Sequence, residues 1–278
     1  MVLSTFTETL FLISICAGLV GALTGLGGGI VVTPALTLLL GVDIRYAIGA
    51  SLISVIATSS GAAASYVRDG LSDVRVGIFL EVATTAGAIT GALLSGTIPT
   101  AALGIIFGLV LLHAAWQTAQ TRSELRTPQP DSALSRMLRL GGSYRVAGIE
   151  TPYTVSHEGY GFGLMYVAGT LSGLLGIGSG ALKVIAMDRV MGLPFKVSTA
   201  TSSFMIGVTA VASAAIYLKR GYIHPEIALP VMLGVLAGSM LGARLLPRLP
   251  VRTLRRIFAA VVAVIAIQMM IHGLRGKL

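Results

Sequence analysis

Two short glycine-dense stretches hold the residues best placed to do chemistry: Gly25-Leu26-Gly27-Gly28-Gly29 and Gly176-Ile177-Gly178-Ser179-Gly180. Glycine costs about 1 kcal/mol relative to alanine inside a helix, so such clusters predict helix breaks. At a break, freed N–H groups and the positive end of the following half-helix attract negative charge. The competing use is close helix packing, where small residues let backbones approach. A phosphate loop does not fit: the final glycine of the dinucleotide fingerprint is missing, and no Gly-Lys-Ser/Thr follows. No cofactor is expected. Ser179 between two glycines hints at an intramembrane serine hydrolase, but Ile177 stands where that motif needs glycine, so no catalytic residue is assigned.

Just past the second break stands Lys183, in an otherwise apolar run. An ammonium at such a position is costly and points to function, with snorkelling or pairing to Asp188 as the bland alternative. Glu81 is the clear carboxylate inside an apolar stretch, and is a candidate proton carrier or a partner for Arg75. Hydroxyls cluster downstream of each break: Ser51, Ser54, Thr58, Ser59 and Ser60, then Thr199, Thr201, Ser202, Ser203 and Thr209. They either line a shared cavity or bond to nearby backbone. The expected substrate-binding set is Gly27, Gly28, Gly29, Ser51, Gly178, Ser179, Gly180, Lys183, Thr201 and Ser202, with Glu81 for coupling.

The elements that must position these residues are apolar helices. The chain is 54% hydrophobic and 11% charged over 278 residues, against roughly 25% charged in a soluble domain. About 20 apolar residues span a bilayer core. Eight such stretches can be drawn, beginning near Thr9, Ile48, Val76, Ala101, Gly161, Val197, Ile227 and Ile257. The class is therefore an all-α multi-pass membrane protein in contact with lipid. The +9 net charge sits mostly in connectors, where it anchors topology, so nucleic acid is not a partner. The single cysteine, Cys16, excludes an intramolecular disulfide and a cysteine metal cluster, and no metal is expected. The first apolar stretch reads as a retained span, because no basic segment precedes it.

The chain is also written twice. Gly25 falls on Gly176, Gly41 on Gly192, Ser51 on Ser202, Thr58 on Thr209, Tyr66 on Tyr217, and Gly87/Gly91 on Gly238/Gly242. The offset of 151 holds without a gap. This divides the chain into an N-terminal repeat (1–118), a polar connector (119–159) and a C-terminal repeat (160–278). The connector is expected to be a linker on the membrane surface with one short amphipathic piece near Ser132–Leu140. Each half opens with a span, a break, and a shorter apolar piece: Ile30–Leu40 or Ala181–Met191. If the short pieces fold back, the connector Lys and Arg split 14 against 5 between the two sides; if they extend the first spans, 11 against 8. The positive-inside bias favours the first arrangement, with inverted repeats and a cytoplasmic connector. Paired breaks in inverted repeats are a pointer to a transporter site for a small anion.

The paired glycine segments, with Pro34 after the first, resemble the TauE/SafE sulfite-exporter family. Ala50-Ser51-Leu52 and the run Leu193-Pro194-Phe195-Lys196-Val197-Ser198-Thr199-Ala200-Thr201-Ser202-Ser203 carry the same resemblance. It implies a permease in the inner (plasma) membrane for sulfite, sulfoacetate or another organosulfonate. Similar members often carry lysine at the Lys183 position. This chain differs at Ser179, where glycine is usual, at Ile185, where proline is frequent, and at Ser203, where a subgroup has asparagine. The alternative reading is a non-transporting membrane subunit that partners a sulfur-metabolising enzyme. Oligomeric state is left open.

Overall fold

Long apolar runs with few β-branched clusters favour helices, which satisfy their own backbone groups without water. The computed structural model describes residues 2–24, 28–68, 70–119, 133–138, 140–146, 149–245 and 251–276. The first half holds α1 (Val2–Thr24), α2 (Gly29–Leu40), α3 (Ile44–Arg68), α4 (Val74–Leu94) and α5 (Thr100–Ala119). The connector contributes α6 (Ala133–Leu138) and the strands β1 (Gly142–Val146) and β2 (Ile149–Tyr153). The second half holds α7 (Glu158–Leu175), α8 (Gly180–Ile185), a π-helical turn (Ala186–Val190), α9 (Phe195–Lys219), α10 (Pro225–Leu245) and α11 (Val251–Leu274).

Three of these helices are long and apolar enough to cross a bilayer by themselves: Val74–Leu94, Thr100–Gln117 and Phe195–Lys219. Shorter apolar helical segments lie at Phe6–Val20, Gly29–Leu40, Ile44–Ser60, Pro225–Leu241 and Ala259–Leu274. The helix α7 is diluted by Gly159, Gly161, Gly163, Gly169 and Gly173. The solvent is nonetheless written on the surface. Ile78, Val82, Leu93, Leu109, Leu112, Val208, Val211, Leu229 and Leu233 point outward, while Ser51, Ser54, Thr84, Lys183, Ser198, Thr201 and Thr209 are buried. A water-soluble fold distributes these residues the other way round.

The two halves interlock. α1 packs against α10, and α4 against α7. A shift of 151 turns the first pair into the second. Glycines set these crossings. A side chain on Gly87 would overlap the Tyr166 carbonyl, and one on Gly238 would overlap the Ile15 carbonyl. The two crossings are the same contact made twice. Phe11 and Ile15 abut Gly234 and Gly238 in ascending order, so α1 and α10 run parallel. Thr84 and Ala88 abut Gly169 and Gly173, so α4 and α7 do too. By contrast, Ala101 lies at Gly273 and Gly108 at Ala266, which makes the equivalent helices α5 and α11 antiparallel.

The short helix α2 folds back. A Cβ on Gly28 would lie 3.8 Å from the Cα of Gly18, one helix earlier. From there α2 returns toward the end where α1 begins. It stops at Gly41, whose left-handed backbone (φ 65°) glycine adopts without strain. The next helix starts beside Tyr222 and Ile223, which Gly49 approaches, at the entrance to α10. In the second half, α8 and its π turn occupy the place of α2.

The connector differs from the expected linker. Its described part is a short helix followed by an antiparallel hairpin, with Tyr144 opposite Thr151 and Gly142 opposite Tyr153. Leu140 and Val155, flanking the hairpin, are buried with Val76, Leu80, Met165, Met187 and Met191. Burying these two anchors holds the hairpin against the start of α4 and the end of the π turn. Pro128 and Pro130 lie outside the described residues.

Candidate functional site

Lys183 projects from α8 into the body of the protein and is fully buried. Its Nζ donates to Thr209 Oγ1 at 2.6 Å, from α9. Thr209 Oγ1 lies 2.7 Å from Glu81 Oε1, on α4, and 2.8 Å from the Met205 carbonyl. A hydroxyl has one proton to give and lone pairs to accept with. Thr209 therefore accepts from the ammonium and donates onward. Glu81 also accepts from Thr85 at 3.0 Å and faces Thr84 at 3.3 Å. Its Oε2 is 4.0 Å from Lys183 Nζ. The carboxylate that Lys183 meets is thus Glu81, from the other half, and not its neighbour Asp188. A buried ion pair is costly unless hydrogen bonds support it, and here the hydroxyls of Thr209, Thr85 and Thr84 do so.

The serines meet the breaks. Ser51 Oγ lies 2.9 Å from the Gly176 carbonyl and 3.2 Å from the Gly29 carbonyl. One side chain thereby ties the start of α2 to the second break, 125 positions on. Ser202 Oγ donates to the Gly180 carbonyl at 3.3 Å. Side chains on Gly29 and Gly180 would collide with Val55 and Ile206 respectively, so both helix starts press against α3 and α9. Gly28 is buried beside Val235. Gly27 lies outside the described residues, as do Gly25 and Leu26.

The second break is strained. Gly176 and Gly178 take left-handed conformations (φ 67° and 71°), and so does Ser179 (φ 46°). Glycine adopts this geometry freely; serine does not. The Ser179 hydroxyl is buried and makes no hydrogen bond.

Thr201 belongs elsewhere. Its Oγ1 accepts from the backbone N–H of Asp73 at 2.9 Å, at the entrance to α4. Asp73 also caps α4: Oδ1 accepts from the N–H groups of Arg75 (3.1 Å) and Val76 (3.0 Å). Its Oδ2 accepts from the Tyr153 hydroxyl at 2.7 Å. Asp73 thus joins the first half, the hairpin and α9. Burial, and the Asp73 carboxylate next to it, push the Tyr153 phenol well above its ordinary range. Sequence reasoning missed Asp73 and Tyr153 because neither lies in an apolar run. Asp73 standing immediately before the apolar run that starts at Val74 is an N-cap signal that was there to be read.

The structure therefore gathers Ser51, Gly29, Gly178, Ser179, Gly180 and Ser202 about the breaks, and brings Lys183 together with Glu81 and Thr209. It separates Thr201 from both. The residues 10–269 match the family model described as "Sulfite exporter TauE/SafE". The chain is 28% identical over 273 residues to the "Probable membrane transporter protein YunE" of Bacillus subtilis (strain 168), covering 95% of this chain and 97% of that protein. It is 27% identical over 242 residues to the "Probable membrane transporter protein YdhB" of the same organism, covering 87% and 89%. No solved structure matches. The chain is a multi-pass membrane transporter, and with a family match spanning all but its two ends it belongs to the sulfite exporter TauE/SafE family.

Proposed function

We propose that this transporter carries a small sulfur-containing anion, such as sulfite, sulfoacetate or another organosulfonate, across an inner (plasma) membrane. The anion binds between the two glycine breaks, against Gly28, Gly29, Ser51, Gly178, Ser179, Gly180, Ser202 and the ammonium of Lys183. The long helices make eight crossings, α2 and α8 are half-helices, and the repeats are inverted, with the connector on the cytoplasmic side. The antiparallel course of α5 and α11 supports that arrangement, as does the charge bias of the connectors. Transport follows from the two halves rocking about the breaks.

The observation that carries the reading is Lys183 itself: a fully buried ammonium one turn beyond a broken helix, set among buried hydroxyls and facing Glu81. In lipid such a charge persists where it handles a counter-charge. Flux of sulfite and sulfoacetate into proteoliposomes tests the reading. Saturable flux in the wild-type chain, lost in Lys183→Ala with the variant still folded, is expected. Wild-type proteoliposomes no more permeable than empty vesicles to every sulfur anion tried would refute it.

A further inference from the structure

The pairing of Lys183 with Glu81 raises a question the anion site alone does not answer. The Glu81 carboxylate, 4.0 Å away, already neutralises the ammonium, so an incoming anion has to compete with it. In the geometry here, Thr209 holds both: it accepts a hydrogen bond from the Nζ at 2.6 Å and donates one to Oε1 at 2.7 Å. The Glu81 carboxylate and an incoming anion would need the same donors.

We infer that Glu81 and the transported anion are alternative occupants of the Lys183–Thr209 donor pair, so that each anion binds together with one proton on Glu81. This rests on the anion-transport reading above. The charge bookkeeping supports it. With Glu81 ionised and no anion, the site is neutral: one ammonium, one carboxylate. With Glu81 protonated and a monovalent anion beside Lys183, it is neutral again. A charge left uncompensated at this depth would cost several kcal/mol, so both end states avoid it, whereas binding without the proton would not. The proton comes from water on the side from which the anion enters, resides on a Glu81 oxygen, and leaves with the anion. Lys183 remains an ammonium throughout. Once protonated, the carboxyl releases Thr209 and can turn its own O–H toward the Thr84 or Thr85 hydroxyl.

The groups facing Glu81 are few. From α8 comes Lys183, the charge that acts on it, with Asp188 and Arg189 further along the π turn. From α9 comes Thr209, while Lys196 and Lys219 sit at the ends of that helix. The helix α7, which also packs on α4, carries Glu158, Tyr160 and Tyr166, but the Tyr160 and Tyr166 rings are exposed and the Tyr166 phenol donates to Thr90. On α4 itself the neighbours are Thr84 and Thr85, with Arg75 at the helix start. No second carboxylate among these is placed to share the proton with Glu81.

The arrangement also selects substrate charge. A monovalent sulfonate balances the site, and sulfoacetate balances it once its own carboxyl is protonated. Methanesulfonate is the cleanest probe, because it carries one charge and does not titrate between pH 5 and 9. Its binding to the purified full-length protein is measured calorimetrically across that range. Wild-type affinity should fall about tenfold per pH unit on the alkaline limb, as expected for one linked proton. Glu81→Gln should bind with an affinity flat in pH, and Thr209→Val should weaken binding while keeping the slope. In proteoliposomes, Glu81→Gln should exchange methanesulfonate across the bilayer yet fail to accumulate it under a pH gradient. A pH-independent wild-type affinity, or a slope that survives in Glu81→Gln, overturns the coupling and leaves anion transport standing. Binding of neither methanesulfonate nor sulfite at any pH overturns both.

Discussion

Ser51 and Ser202, 151 positions apart, make the same hydrogen bond: each reaches the carbonyl of the residue 22 positions earlier, Gly29 and Gly180. The bonds pin the start of each short helix, α2 or α8, to the following long helix, α3 or α9. They are not equal, however, because Ser51 also lies 2.9 Å from the Gly176 carbonyl and Ser202 has a single, longer contact of 3.3 Å. Ser51→Ala should therefore cost about 1–2 kcal/mol and Ser202→Ala less than about 1 kcal/mol. Thermal unfolding in detergent should show Ser51→Ala melting lower; the reverse order would contradict the geometry.

The helix crossings predict a matched pair of failures. Gly87→Ala and Gly238→Ala each drive a methyl into a backbone carbonyl of the neighbouring helix. Overpacking of this kind costs about 1–3 kcal/mol. Gly163→Ala, with nothing within 4 Å, should be neutral or stabilising. Folded yield by size-exclusion chromatography separates the three, and equal yields would mean that the helices do not approach as described.

Removing one member of the buried pair strands the other. Lys183→Met or Glu81→Gln alone should destabilise by about 3–5 kcal/mol, and the double variant should recover much of the loss. A double variant whose melting point reflects the plain sum of the singles would show that the two groups are not coupled.

Ser179 occupies a backbone region that L side chains disfavour, without a hydrogen bond to offset it. Ser179→Gly should raise stability by about 0.5–1 kcal/mol. A lower melting temperature would reveal a partner for this hydroxyl.

At the hairpin, the Tyr153 phenol stays protonated to higher pH than an exposed tyrosine. Because its folded value is raised, its contribution to stability is intact below the unfolded value of about 10 and is lost as pH climbs through the folded one. Tyr153→Phe should speed amide exchange across residues 142–153 and remove one late-ionising phenol from the absorbance titration at 295 nm. Unchanged exchange would mean that Leu140 and Val155 alone hold the hairpin.

Much of this architecture could be read from residue order. The 151-residue register located both breaks, both serines and the glycines of the crossings, since each is a local requirement repeated in place. The fold-back of α2 is the arrangement that the more biased split of connector Lys and Arg favours. The pairing of Lys183 with Glu81 could not be read in this way: they lie 102 positions apart, and nothing local tells which face of α4 turns to α8. Thr201 misled for a related reason. It adjoins Ser202 in sequence, but neighbouring helix positions point about 100° apart, so one meets the break and the other meets Asp73. The hairpin was hidden because Tyr144 and Tyr153 sit in a polar stretch, and their burial depends on surfaces supplied by distant helices.

The exchange of partners between halves decides whether either half could stand alone. A chain with only the first half would leave α1 without the surface that α10 supplies, and α4 without that of α7. Within its own half α1 packs on the short α2, whereas α4 packs mainly on α7 and α9 of the other copy. A second, identical molecule could supply those surfaces only if it lay head to foot with the first, because α5 and α11 run in opposite directions. Deleting either half therefore strips helix faces of the other.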